Sequence, residues 1–166
     1  MLSVIPRTGK NIKKQKIIIA GLGNLLLRDD GVGVHAIKTL QKDQIQDIIA
    51  VEVGCAVFDS LHILEAADKI LLIDAMEAGG PPGSVYLCDL SDIDGKPEWG
   101  SLHHLSVITA LQTFAKKRAS LIKLVGIEPA IIDYGLELSD AVQGALPRVC
   151  QFARSITREW KMANSS

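Results

Sequence analysis

The chain has 166 residues, 48% of them hydrophobic and 22% charged, with a formal net charge of −1 at pH 7. This composition excludes a disordered or solvating chain. It also argues against a general nucleic-acid binder, because affinity for phosphate needs clustered Lys and Arg. The length is that of one domain with a single substantial core.

No apolar run is long enough to cross a bilayer, and the first residues lack the apolar stretch of a secretory signal. The expected location is the cytoplasm, without membrane insertion. Cys55, Cys88 and Cys150 are odd in number and widely spaced, which suggests neither a disulfide framework nor a CxxC zinc site.

In chain order, residues 1–15 are a basic tail carrying Arg7, Lys10, Lys13 and Lys14 and no acid. Such termini are commonly solvated. A single α/β domain is expected over 16–162, followed by a frayed end at 163–166. The run Ile17-Ile18-Ile19-Ala20-Gly21 is apolar without alternation, as in strands buried on both faces of a parallel sheet. The spacing after Gly31 predicts a helix to about Lys42. Ile48–Val53 reads as a second strand, and Asp59-Ser60 reads as the cap of a helix through Ala67 with Leu61, Leu64 and Phe58 inward.

Lys69–Ala75 is a third strand, apolar until Asp74. Gly79-Gly80-Pro81-Pro82-Gly83 is a turn, and Ser84–Cys88 a short fourth strand. A long polar loop over Asp89–Ser101 leads to a helix over Leu105–Lys117, whose end Lys116-Lys117-Arg118 suits a helix C-terminus. Ala119–Ile127 is a fifth strand, stopped by Glu128-Pro129. Ser139–Lys161 is a long last helix with a bend expected at Pro147. Alternating strands and helices give an α/β class: three layers, with a largely parallel sheet of about five strands and helices on both faces.

Chemistry concentrates in three places. Gly21-Leu22-Gly23 lacks the third glycine of a dinucleotide fingerprint, since position 26 is Leu, and the P-loop Lys-Ser/Thr is missing too. These glycines therefore point to a tight turn and a close backbone approach at the strand end. Asp29-Asp30 follow, in the loop at the carboxyl end of a central strand, where open α/β sheets bind ligands. One acid suffices to cap a helix. Neighbouring residues point different ways, so one can cap while the other faces the crevice, and spacing alone does not rank Asp30 over Asp29.

Asp74 closes a wholly apolar strand, where a buried charge is costly unless paired, hydrogen-bonded or metal-bound. The first and third strands should end at the same sheet edge, which lets Asp74 and the Asp29-Asp30 pair converge. His103-His104, at a loop-to-helix junction, can add an imidazole, again without a ranking between the two. His35 and His62 sit within helical patterns and read as structural. Two carboxylates and an imidazole make an open metal site in type, and the donor set alone does not choose the metal. Cys55, after the second strand, is placed where it could face the crevice, but a small buried thiol is the first expectation. Covalent catalysis lacks support, with no Gly-x-Ser-x-Gly elbow and no Asp-Ser/Thr-Gly loop.

The series Gly21-x-Gly23-Asn24-x-Leu26-x-x-Asp29-Asp30-Gly31-x-Gly33, Ile73-Asp74-Ala75, Pro82-Gly83, Ser101-x-His103, Val125-Gly126-Ile127-Glu128-Pro129, Gly135-Leu136-x-Leu138-Ser139 and Ala145-Leu146-Pro147 resembles the [NiFe]-hydrogenase maturation endopeptidases over about residues 16 to 155. The resemblance implies a protease that trims a C-terminal peptide from a hydrogenase large-subunit precursor after nickel insertion. Carried over residue by residue, it gives Asp30, Asp74 and His103 as the catalytic, metal-binding set. It implies nickel carried by the substrate and no stored cofactor.

One departure is the loop Gly54-Cys55-Ala56-Val57, where many members carry an Asp-Gly-Gly-type sequence. Two other readings keep the same residues: a non-catalytic nickel-dependent binding protein or metallochaperone, and a small-molecule metallohydrolase with its own zinc or other divalent ion. The oligomeric state is not legible. On these expectations Asp74→Asn abolishes processing with the fold intact, while Asp29→Asn costs mainly a helix cap, about 0.5–2 kcal/mol.

Overall fold

The computed structural model describes residues 15–43, 48–89 and 122–163. The basic tail up to residue 14, the polar loop from residue 90, His103, His104, the helix expected over Leu105–Lys117 and the closing residues 164–166 lie outside the described residues. Five strands form one sheet: β1 (Ile17–Leu22), β2 (Ile48–Gly54), β3 (Lys69–Ala75), β4 (Val85–Asp89) and β5 (Ile122–Ile127), in the order β2-β1-β3-β5-β4. β2, β1, β3 and β5 run parallel, and only the edge strand β4 is antiparallel to its neighbour. Three helices are described: α1 (Val32–Lys42), α2 (Val57–Glu65) and α3 (Asp140–Ala163).

The pleat of β1 shows how the layers are held. Ile17 and Ile19 pack into the core shared with α1 and α3, whereas Ile18, Ala20 and Leu22 point to the opposite core with Val57 and Leu64 of α2. All of β1 is buried, as its unalternated sequence requires. Each fully buried Ile contributes about 1.5–3 kcal/mol of transfer free energy, so this strand anchors both layers at once. The expected α/β architecture, with helices on both faces, is the one observed.

Some element ends differ from expectation. α2 begins at Val57 and ends at Glu65; Asp59 lies in its first turn rather than before it, and no side chain caps its start. With the start of the helix at Val57, Phe58 faces outward and Val57 is buried instead. α3 continues through Pro147 without a break. Proline there removes the N–H that would bond the Gln143 carbonyl, on an exposed stretch of a helix whose other face is buried by Val142, Leu146, Val149 and Ala153.

The site is positioned by the way α1 leaves β1. A Cβ on Gly33 would overlap the carbonyl oxygen of Ile73, and one on Gly21 the carbonyl oxygen of Gly33. Only glycine lets the first turn of α1 lie directly against β1 and β3. Gly23 has φ of 105°, and a Cβ there would strike the Asp30 carbonyl. The Gly-x-Gly pair thus serves close backbone approach, as its sequence suggested.

Candidate functional site

β1 feeds β2 on one side, and the chain then crosses to place β3 on the other side of β1. α1 and α2 cover opposite faces. The crevice at the carboxyl ends of β1 and β3 is therefore a topological switch point, where doubly wound sheets bind ligands. The strand register aligns Gly21 with Ile73 and Leu22 with Gly54, across a bulge after Gly21. Asp74 follows Ile73, Cys55 follows Gly54, and the Gly23–Gly31 loop follows Leu22, so all three leave the sheet at one edge. Bulges of this kind re-aim side chains next to sites.

Asp29 and Asp30 diverge, and Asp29 does not cap α1. Its carboxylate is fully buried and binds a segment a hundred residues on. Oδ2 accepts the Ala130 and Ile131 amides, each at 2.9 Å, and the Ser139 hydroxyl at 2.8 Å, while Oδ1 accepts the Ser139 amide at 2.7 Å. Ser139 in turn opens α3, its hydroxyl accepting the Val142 amide at 3.4 Å. Burial acts to raise the Asp29 pKa, but the hydrogen bonds from Ser139, Ile131 and Ala130 outweigh it and hold the carboxyl below its ordinary value. The expectation that Asp29→Asn costs only a cap is thereby corrected: this residue locks the β5–α3 connection.

Asp30 turns the other way. Its Oδ2 accepts the Asn24 amide at 2.8 Å, and the Asn24 side chain accepts the Leu26 amide at 2.9 Å, so the loop is wrapped around this carboxylate. Asp74, also buried, accepts the Ala75 amide at 2.8 Å. Cys55 reports on both acids. Its thiol, though reached by solvent, is pushed above its ordinary value first by partial desolvation and then by the negative charges of Asp30 and Asp74. The Cys55 side chain is exposed, with Sγ 3.7 Å from the Gly23 carbonyl oxygen. The buried thiol expected from sequence is instead a residue at the mouth of the crevice. Cys88 and Cys150 are the buried ones.

Of the sequence-derived set, the structure brings Asp30 and Asp74 to one edge, and His103 lies outside the described residues. Among the described residues, no group of three or more His, Cys, Asp or Glu is arranged to hold a metal ion. Two carboxylates at this edge create a negative local potential that attracts cations and oriented donors.

Glu128 was read from sequence only as the end of β5. It is buried and accepts the Ala78 amide at 2.9 Å, the Gly79 amide at 3.2 Å and the Tyr86 hydroxyl at 2.9 Å. Burial tends to raise its pKa, and these hydrogen bonds bring it below the ordinary value. Burial and the bond to Glu128 raise Tyr86. Glu128 therefore fastens the turn that follows Asp74. The signal that singled out Asp74, an acid closing an apolar strand, was equally present here. Tyr86→Phe should lower stability by about 1–2 kcal/mol through loss of one bond to a charged acceptor, read as a shift in urea midpoint with unchanged slope.

The fold and edge geometry define an α/β protein with an acidic crevice at its switch point, and comparison with known proteins gives the family. The family model described as hydrogenase maturation protease matches residues 34–156, a stretch that includes Asp74 and His103. The chain belongs to this family of hydrolases. It is 28% identical to the [NiFe] hydrogenase maturation protease HybD from Thermococcus kodakarensis, with a TM-score of 0.72 over 85% of this chain and 98% of that one. It is 30% identical to Protein FrxA of Pyrococcus furiosus, over 79% of this chain and 97% of that protein. It is 26% identical to the hydrogenase expression/formation protein HoxM of Cupriavidus necator, over 87% of this chain and 75% of that one. No helix among the described residues is long and apolar enough to cross a membrane.

Proposed function

We propose that this endopeptidase removes the C-terminal extension of a [NiFe]-hydrogenase large-subunit precursor after nickel insertion. In this reading Asp30, Asp74 and His103 ligate the nickel that the substrate carries. The observation that supports it is the placement of two buried carboxylates, Asp30 and Asp74, after adjacent parallel strands at the same sheet edge, at the switch point. Imidazole is a ligand suited to nickel, and the two carboxylates supply oxygen donors and the negative charge that offsets a divalent ion. Docking the substrate's own metal against fixed carboxylates would hold the scissile bond in one orientation, which is worth several kcal/mol of the barrier. It would also make cleavage conditional on a loaded precursor. The wrapping of the Asn24 loop around Asp30 supports this, because a ligand acts best when its geometry is fixed before binding.

The test is the intact mass of a nickel-loaded large-subunit precursor from the same cell, before and after incubation with this protein. The expected result is a defined loss of the C-terminal peptide, absent with nickel-free precursor. A stable complex with no change in mass would replace the protease reading with that of a nickel-dependent binding protein.

A further inference from the structure

Beside the crevice, five large apolar side chains face solvent on two loops: Leu26 (60% exposed), Ile131, Ile132, Tyr134 (87%) and Leu136 (67%). The loops form one surface, because their backbones are paired. The Gly135 amide donates to the Leu26 carbonyl and the Arg28 amide to the Gly135 carbonyl, both at 3.0 Å, around a parallel bridge between Leu27 and Gly135. Exposed loops that carry apolar residues for want of a better place are usually mobile and scattered. These are fastened from beneath at several points. The Asp29 carboxylate holds Ala130, Ile131 and Ser139, and the Arg28 stem fills the space that a Cβ on Gly135 would need.

Large apolar side chains exposed together on paired loops mark a protein–protein contact, and loops already held by backbone hydrogen bonds lose less freedom on binding. The patch is also tied to the loop that holds Asp30: the Leu26 amide donates to the Asn24 side chain, the Asn24 amide donates to the Asp30 carboxylate, and the Asp29 amide donates to the Ile131 carbonyl at 3.3 Å.

We infer that Leu26, Ile131, Ile132, Tyr134 and Leu136 form the docking surface for an apolar face on the folded body of the protein substrate, outside the segment that is cut. This rests on the proposed processing reaction. An endopeptidase acting at one bond of a folded partner needs contacts beyond that bond, and Leu26 of this patch lies on the loop that carries Asp30. Tyr134 is the anchor, since exposed tyrosines dominate such contacts.

The experiment compares the native protein, the double variant Tyr134→Ser/Leu136→Ser, the single variant Leu26→Ser from the opposite loop, and Phe152→Ser. Phe152 is an exposed side chain on α3, ~18 Å along the helix from its first residue. Each is measured for steady-state cleavage of nickel-loaded precursor, for direct binding to immobilised precursor, and for sedimentation. A hot-spot loss of this kind should raise KM and Kd about tenfold in the double variant. kcat should be unchanged, Leu26→Ser should act in the same direction, and Phe152→Ser should have no effect. Unchanged Kd and KM would overturn the patch while leaving the processing reaction standing. A native dimer that the double variant dissolves would also overturn it, by assigning the surface to a second copy of this chain. If the native protein binds but does not cut, the processing reading fails and the Kd ratio alone decides the patch.

Discussion

Asp74→Asn is expected to leave the fold standing and to stop processing of the precursor, slowing it at least about 100-fold, as loss of a positioning contact commonly does. The structural side follows from what the residue does in the sheet. Asp74 sits at the end of β3, in register with Gly126 of β5, and its hydrogen bond from Ala75 needs only an oxygen, which the amide retains. The substitution conserves volume and removes a buried negative charge from an edge that already carries Asp30. Residues kept for function often cost stability, so the melting temperature should stay level or rise. The functional side follows from the same change, because a neutral amide is a poorer ligand for a divalent ion than a carboxylate.

Circular dichroism melting and the precursor mass assay, run on the same preparation, separate the two effects. A variant that unfolds would make Asp74 a structural acid like Glu128, whose hydrogen bonds to Ala78, Gly79 and Tyr86 account for its burial entirely within the fold.

That contrast marks how far the sequence could be read. The strands were legible because β1 and β3 are buried on both faces and therefore written in unbroken apolar residues. The approach of α1 was legible because Gly21, Gly23 and Gly33 stand where any Cβ would collide. That Asp30 and Asp74 leave the sheet at one edge was legible because adjacent parallel strands end together. Other features were invisible because they depend on contacts distant in sequence. Nothing near Asp29 announces Ser139, whose pairing with it spans 110 positions. Cys55 looked like core because it follows a strand, yet the left-handed turn at Gly54 (φ 56°) swings it out to the crevice mouth. Phe58 looked buried because it was grouped with Leu61 and Leu64, but it is Val57, four and seven residues before them, that shares their face. The order of β5 and β4 was hidden for a similar reason, since β4 pairs with a strand that follows it in sequence.

Asp29→Asn should be the mirror image of Asp74→Asn, with processing retained in the cold and stability sharply reduced. The carboxylate is fully buried and receives four hydrogen bonds, three on Oδ2 and one on Oδ1. An asparagine can place its oxygen where three donors converge, but its NH2 then meets the Ser139 amide, donor against donor. Losing charge assistance while stranding a buried N–H costs about 2–4 kcal/mol, a fall in melting temperature of roughly 5–15 °C for a chain of this size.

The pH dependence gives a second reading of the same residue. The folded carboxyl lies below its ordinary value of 3.8. Its stabilising contribution is therefore complete above that value and is lost as the pH falls through the lowered folded value. The gap between native and variant melting temperatures should accordingly be wide at pH 7, still open at pH 5, and close only on acidification below about pH 4. Glu128, lowered in the same direction, keeps its own acid transition in both proteins. A gap that stayed constant into acid would show that the loss comes from packing rather than from the charge on Asp29.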